Sequence, residues 1–199
     1  MFIIDYLHNR INQSNQRRLI NKTPSLICSN CTGGFIYHWL GLKFNSPFIN
    51  LYLKDSDFVK ALSNWEEFLR FEIKEDLNTE KTYPVGISYD GIRIHFMHYG
   101  SFAEAKEIWE RRKGRIDSNN MGVMLTNWGG EESVIRDFEK LPFKHKVAFV
   151  NKEIPDTKCT FIIKKKNDML NLHRTQYLNG RRFIDQFDYV AFINSLLEK

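Results

Sequence analysis

The stretch Ser25-Leu26-Ile27-Cys28-Ser29-Asn30-Cys31-Thr32-Gly33-Gly34-Phe35-Ile36-Tyr37-His38-Trp39-Leu40 decides the fold of this chain. Pro24 restarts the backbone, and the short apolar run Ser25 to Ser29 reads as a buried strand. Gly33 and Gly34 follow, and the apolar-aromatic segment Phe35 to Leu40 reads as a helix. A continuously apolar strand feeding directly into a helix is the opening of a parallel βα unit.

The same alternation recurs downstream. Pro47 opens an expected strand over Phe48 to Leu53, and Asp55-Ser56-Asp57 supply a helix start. Phe58, Val59, Leu62, Trp65, Phe68 and Leu69 then fall at helical spacing. The charged stretch Glu72 to Thr82 reads as a loop. Tyr83 to Ser88 and Ile92 to Tyr99 flank Asp90-Gly91, a hairpin signal. Ser101-Phe102-Ala103-Glu104 is a capping box that opens a helix. Met121 to Thr126, Lys146 to Val150 and Cys159 to Ile163 read as strands, with helices after Glu131 and at the C-terminus. The expectation is an α/β fold: a three-layer α/β/α, Rossmann-like, mainly parallel sheet with an antiparallel hairpin insertion. Residues 1–22 form an amphipathic N-terminal helix, and 23–199 form one α/β domain.

Composition narrows the class. The 199 residues are 42% hydrophobic, enough for a sizeable core. No apolar run reaches the roughly 18 residues of a membrane span. Three cysteines, an odd number, and no export signal indicate reduced thiols in a cytoplasm. The net charge of +5 is uneven: 1–50 holds five Lys/Arg against one acid, 51–139 twelve against seventeen, and 140–199 twelve against six. Basic ends around an acidic middle point to anionic small partners, although a mixed solvated surface explains the same pattern. No nucleic-acid recognition motif is present. The first helix carries Ile3, Ile4, Leu7 and Ile11 on one stripe beside Arg10, Arg17, Arg18 and Lys22. Two fates fit it: packing on the domain, or peripheral contact with the inner face of a membrane.

Ligands in open α/β sheets gather at the carboxyl ends of the strands. Asn30-Cys31-Thr32-Gly33-Gly34 and Asn127-Trp128-Gly129-Gly130 both leave a strand there and enter a helix. Asn30, Gly33, Gly34, Asn127, Gly129 and Gly130 are therefore candidate binders of an anion such as a sugar nucleotide or sugar phosphate. The same residues are also ordinary turn formers. Cys31 stands beside a helix N-terminus, where the dipole favours thiolate, so it is a candidate nucleophile. His98 is a candidate acid or base, and Tyr99 a contact residue, because they lead from a strand toward a helix. Arg112 lies on the Trp109 side of its helix and is the arginine expected to turn inward, whereas Arg111 faces Glu107. His95 and His98 cannot share one face of a strand, and no metal-ligand spacing stands out. No cofactor is indicated.

Together, Ser29-Asn30-Cys31-x-Gly33-Gly34, Leu40 to Pro47, His95 to Tyr99, Trp109 to Ile116 and Leu141 to Lys146 resemble a bacterial family of unknown function. Its members are often labelled exopolysaccharide biosynthesis proteins. The resemblance implies an α/β/α fold and a role in surface-polysaccharide assembly, without an activity to carry over. The expectation is a transferase acting on a sugar nucleotide or sugar phosphate. The alternatives are a non-catalytic binding or assembly protein, and cysteine-based acyl transfer at Cys31.

Overall fold

A computed structural model describes residues 2–127, 130–164, 171–176 and 179–198. Its central sheet holds β1 (Ser25–Cys28), β5 (Met121–Thr126), β6 (Lys146–Val150) and β7 (Thr160–Ile162) in that order. All three neighbouring pairs are parallel, with Ile27 opposite Val123, Met124 opposite Val147 and Ala148 opposite Thr160.

Side-chain alternation along these strands divides the core in two. Ile27, Val123, Leu125, Ala148 and Val150 face one cluster. Its helices are α3 (Asp55–Ser63), α4 (Trp65–Arg70), α5 (Phe102–Lys113) and α6 (Glu132–Lys140). Leu26, Cys28, Met124, Val147 and Phe149 face the other cluster, with α2 (Thr32–Leu40) and α7 (Tyr189–Ser195). The chain is thus an α/β protein of three layers, since a parallel sheet must be covered on both faces.

Helix α2 shows how local sequence makes this join. Ile36, Tyr37 and Leu40 bury one stripe against the sheet. The Tyr37 hydroxyl accepts from the Leu26 N–H at 2.9 Å and donates to the Pro24 carbonyl at 2.8 Å, locking the start of β1 to the helix. Gly41, at φ 67°, ends the helix in the left-handed conformation that suits glycine.

The Asp90-Gly91 hairpin is present. Asp90 (φ 52°) and Gly91 (φ 74°) turn β3 (Val85–Ile87) back on β4 (Arg93–His95). These strands, with β2 (Lys74–Glu75), form a separate antiparallel sheet rather than an edge of the parallel one. β2 lies inside the stretch expected to be loop.

The strand expected over Phe48 to Leu53 does not form. Asn50 takes a left-handed φ of 62°, and only an isolated bridge joins Tyr52 to His95. Phe48, Ile49, Leu51 and Leu53 are buried all the same, as an irregular plug between the helices and the sheet. The apolar run reflected burial, not pairing.

Helix α1 (Phe2–Arg18) stops short of the expected residue 22 and packs on α2. Leu7 and Ile11 are half-buried, whereas Ile3 and Tyr6 stay exposed. Asn15 donates to the Tyr189 hydroxyl at 2.7 Å, and Arg18 pairs with Asp188. Among the described residues, no helix is long and apolar enough to cross a membrane.

Candidate functional site

The two neighbouring strands β1 and β5 send their chains in opposite directions. β1 leads into α2 on one face, and β5 leads through its loop into α6 on the other. Where adjacent parallel strands part in this way, a crevice opens beyond their carboxyl ends. A cavity of about 440 Å³ lies there. Ser29, Asn30, Thr126, Gly130 and Glu131 line it from the two strand ends, and Tyr52, Lys54, Asp55 and Ser56 from the approach to α3.

In both segments the asparagine side-chain oxygen accepts from a backbone N–H further along the chain, two residues on for Asn30 and three on for Asn127. Asn30 Oδ1 accepts from the Thr32 N–H at 2.9 Å, and Asn127 Oδ1 accepts from the Gly130 N–H at 2.5 Å. Both asparagines are buried. Their oxygens therefore hold the turns. Among the described residues the Asn30 amide nitrogen has no partner, and Asn30 lines the cavity. Asn127 stands behind, holding Gly130 in place. Gly129 and Trp128 lie outside the described residues.

The glycines of the first turn do a different job from the one expected. A Cβ on Gly33 would stand 2.6 Å from Cys28 Sγ, so glycine is what lets α2 press onto β1. Gly34 faces Ile49, and the first free amide of the turn, Thr32 N–H, is already taken by Asn30. Neither Gly33 nor Gly34 lines the crevice. Gly130 does, and a Cβ there would approach Asp55 Oδ2 to 2.6 Å, so this glycine lets α3 close against the β5 loop.

A second cavity, about 270 Å³, adjoins the first and shares Asn30 and Tyr52 with it. Cys31 and His98 both line it, with Thr32, Phe35, Met97, Asn171, Leu172 and His173. The sequence thus placed Asn30, Cys31 and His98 around one neighbourhood, and the fold brings them together. The thiolate expected at Cys31 is not favoured. Burial pushes its thiol up, and Sγ lies 3.7 Å from the Leu51 carbonyl, to which it donates. Desolvation outweighs the helix terminus here.

Tyr99 and Arg112 are placed elsewhere. Arg112 does turn inward, but its Nη1 donates to the Tyr99 hydroxyl at 3.0 Å, and its guanidinium lies 5.0 Å over the Phe44 ring. The Tyr99 hydroxyl in turn donates to the Ile49 carbonyl at 2.9 Å. The pair fixes the Phe44 to Ile49 segment, and neither residue lines either cavity. Burial raises the Tyr99 hydroxyl against the opposing pull of Arg112. Arg111 pairs with Glu107 at 3.7 Å, as its helical spacing predicts.

Tyr52, Lys54, Asp55 and Glu131 were not singled out from sequence. Asp55 read as a helix cap. Lys54 holds the N-cap position without a side-chain bond, and Asp55 sits in the first turn on the cavity wall. Behind the crevice, His95 is buried and stacks on Tyr52 with ring centroids 4.3 Å apart and planes 5° from parallel. The Tyr52 and Tyr83 hydroxyls share a hydrogen bond of 3.1 Å. Among the described residues, no three His, Cys, Asp or Glu side chains are grouped to hold a metal ion.

Fold and crevice together define a three-layer α/β protein with a cleft at the strand ends of β1 and β5. A family model described as "Domain of unknown function (DUF1919)" matches residues 3–194. A Haemophilus influenzae chain bearing the description "Uncharacterized protein" is 42% identical over 188 residues, covering 92% of this chain and 90% of that one. The chain belongs to the DUF1919 family.

Proposed function

We propose that this chain is a transferase of cell-surface polysaccharide assembly, and that the β1–β5 crevice binds its sugar nucleotide or sugar phosphate. The supporting observation is the parting of α2 and α6 to opposite faces above Ser29 and Thr126, which opens the crevice. Its walls suit such a ligand. Lys54 offers a cation to phosphate, the Asn30 amide is a fixed donor, and the Asp55 and Glu131 carboxylates accept from sugar hydroxyls. The reading puts the protein in the cytoplasm, with the exposed Ile3 and Tyr6 and the arginines of α1 toward an anionic membrane face.

A thermal-shift panel of sugar nucleotides and sugar phosphates tests the crevice. A specific ligand at 100 times its Kd stabilises the fold by about 2.7 kcal/mol. Lys54→Ala and Asn30→Asp are expected to remove that stabilisation. A panel in which no compound raises Tm, or in which both variants respond like the parent, would sink the reading. Vesicles of anionic lipid that sediment the chain equally well without residues 2–18 would end the membrane role of α1.

A further inference from the structure

We infer that the donor of this transferase is a nucleoside diphosphate sugar, and that its nucleoside lies in a groove between α3 and α6 that continues from the β1–β5 crevice. The inference rests on the proposed reading of the crevice and chooses between the two ligand classes it allows. It is carried by the way the same two helices line both spaces.

The groove has a volume of about 400 Å³. It shares Ser56 and Val134 with the crevice. Ser56 is exposed and Val134 half-buried, so the two spaces join at the surface, along the seam where α3 packs on α6. Ser56, Val59, Lys60 and Ser63 stand at i, i+3, i+4 and i+7, one face of α3. Val134, Asp137 and Leu141 repeat the pattern at i, i+3 and i+7 along α6 and its C-cap. The seam therefore runs down both helices from the ends that meet the crevice. From Ser56 to Ser63 it covers about 10 Å at roughly 1.5 Å per residue, the reach of a ribose with its base. A sugar phosphate bound in the crevice leaves this groove unfilled.

The groove differs in chemistry from the crevice. Its floor is aliphatic, with Val59 and Leu141 each 7% exposed. The charges on its rims are paired, Lys60 with Asp90 at 2.7 Å and Lys140 with Asp137 at 2.8 Å. An apolar floor between polar rims suits a flat, uncharged base. The Ser63 hydroxyl donates to the Val59 carbonyl at 2.9 Å, so its oxygen is left to accept from a base N–H. Across the groove the exposed Asp137 carboxylate can accept from ribose hydroxyls, since a surface ion pair of this kind yields easily. The diphosphate then lies at the join. Lys54 precedes Ser56 by two residues, and the first bond of α3 runs from the Phe58 N–H to the Lys54 carbonyl, so the Ser56 N–H has no acceptor within the helix. Asp57, in the same turn, is directed to the Arg93 N–H instead.

The test is calorimetric binding to the full chain of UDP, GDP, ADP and dTDP, their glucose conjugates, and glucose 1-phosphate. The nucleoside diphosphate with the fitting base is expected to bind at least about tenfold more tightly than glucose 1-phosphate. Ser63→Trp on the α3 rim and Asp137→Trp on the α6 rim fill the groove from two exposed positions. An unchanged urea midpoint checks each fold, and should one variant misfold the other carries the test. Both are expected to weaken nucleoside diphosphate binding at least about tenfold and to leave glucose 1-phosphate binding as in the parent. Amide exchange reads the location: a nucleoside diphosphate is expected to slow exchange in residues 56–63 and 134–141, and glucose 1-phosphate is not. Glucose 1-phosphate binding as tightly as every nucleotide, or tryptophan variants that bind nucleotide like the parent, would overturn the groove, while the crevice reading would still stand on the loss of binding in Lys54→Ala. Nucleotide binding that the tryptophans abolish but Lys54→Ala and Asn30→Asp leave intact would keep the groove and remove the crevice reading. Binding of none of these compounds would overturn both.

Discussion

The Ser29 side-chain oxygen accepts a hydrogen bond from the backbone N–H of Thr126 at 3.0 Å, tying together the ends of β1 and β5 where the crevice begins. Both residues are buried. The Ser29 N–H reaches the Met124 carbonyl at 3.0 Å, and the Ser29 carbonyl accepts from the Leu53 N–H at 2.9 Å. One residue thus joins two strands and the plug segment that carries Tyr52 to Asp55. Ser29→Ala would leave the Thr126 N–H buried and unpaired. The expected cost is about 1–3 kcal/mol in urea unfolding, with weaker ligand binding in the crevice. A variant as stable as the parent would show that Ser29 is not a structural tie.

Gly33 tests whether the first turn is built for packing. An added Cβ would lie 2.6 Å from Cys28 Sγ and 3.1 Å from Cys28 Cβ, on a buried strand. Alanine favours a helix over glycine by about 1 kcal/mol, but overpacking costs about 1–3 kcal/mol. Gly33→Ala is therefore expected to be net destabilising. Cys28→Ala removes the colliding sulfur, so in the double variant the alanine at 33 should become neutral or favourable. The coupling in a double-mutant cycle reads this directly. Additive effects would mean that the collision is not what demands glycine.

Much of the site was open to sequence reasoning because it is local. A strand, an Asn turn and a helix lie within 16 consecutive residues, so β1, α2 and the position of Cys31 follow from hydrophobic pattern and turn chemistry. The matching turn at Asn127 followed in the same way. Phe48 to Leu53 misled because an apolar run signals burial, and here burial comes without pairing partners. Asp55 was hidden by its neighbours: an acid before a helical run looks like a cap, and only the approach of α3 to Gly130 puts it on a cavity wall. Tyr99 and Arg112 have suitable chemistry, but their partners, Ile49 and Phe44, are distant in sequence. No local pattern separates a binding arginine from one that holds a loop.

His95 makes stability depend on pH in a predictable direction. Burial lowers its pKa from 6.5 to about 4, and Lys54, Lys81 and Arg93 add to the effect against Asp76. Its ring lies on Tyr52 and edge-on to Tyr83, and both of its nitrogens lack partners among the described residues. The folded state thus binds fewer protons than the unfolded one between these values. This contribution is fully present above pH 6.5 and is lost as pH falls toward about 4, at up to about 1.4 kcal/mol per pH unit. The whole loss is about 3 kcal/mol. His95→Phe keeps a stacked ring without the titrating nitrogens, so its stability relative to the parent should rise across this window. Parallel pH–stability curves for the two proteins would refute the assignment.

Arg182 is one of the points where α1 is fastened to the rest of the chain, beside the Asn15–Tyr189 and Arg18–Asp188 contacts. Its guanidinium lies 3.7 Å over the Trp39 ring of α2 and donates to Asn12 of α1. Asp185, also buried, stands 3.6 Å away and accepts from the Arg182 backbone N–H at 2.6 Å. A buried cation held by a ring, an amide and a carboxylate is costly to remove singly, because the carboxylate is then left without compensation. Arg182→Met is expected to cost about 3–5 kcal/mol in urea unfolding. Arg182→Lys should rescue little, since an ammonium cannot stack flat on Trp39 while reaching Asn12. Pairing Arg182→Met with Asp185→Asn should recover part of the loss by removing the orphaned charge. Amide exchange along α1 should speed up in Arg182→Met before the strands of the sheet are affected. Exchange that rises equally in α1 and β5 would mean that Arg182 supports the whole fold, and that α1 is not held by it in particular.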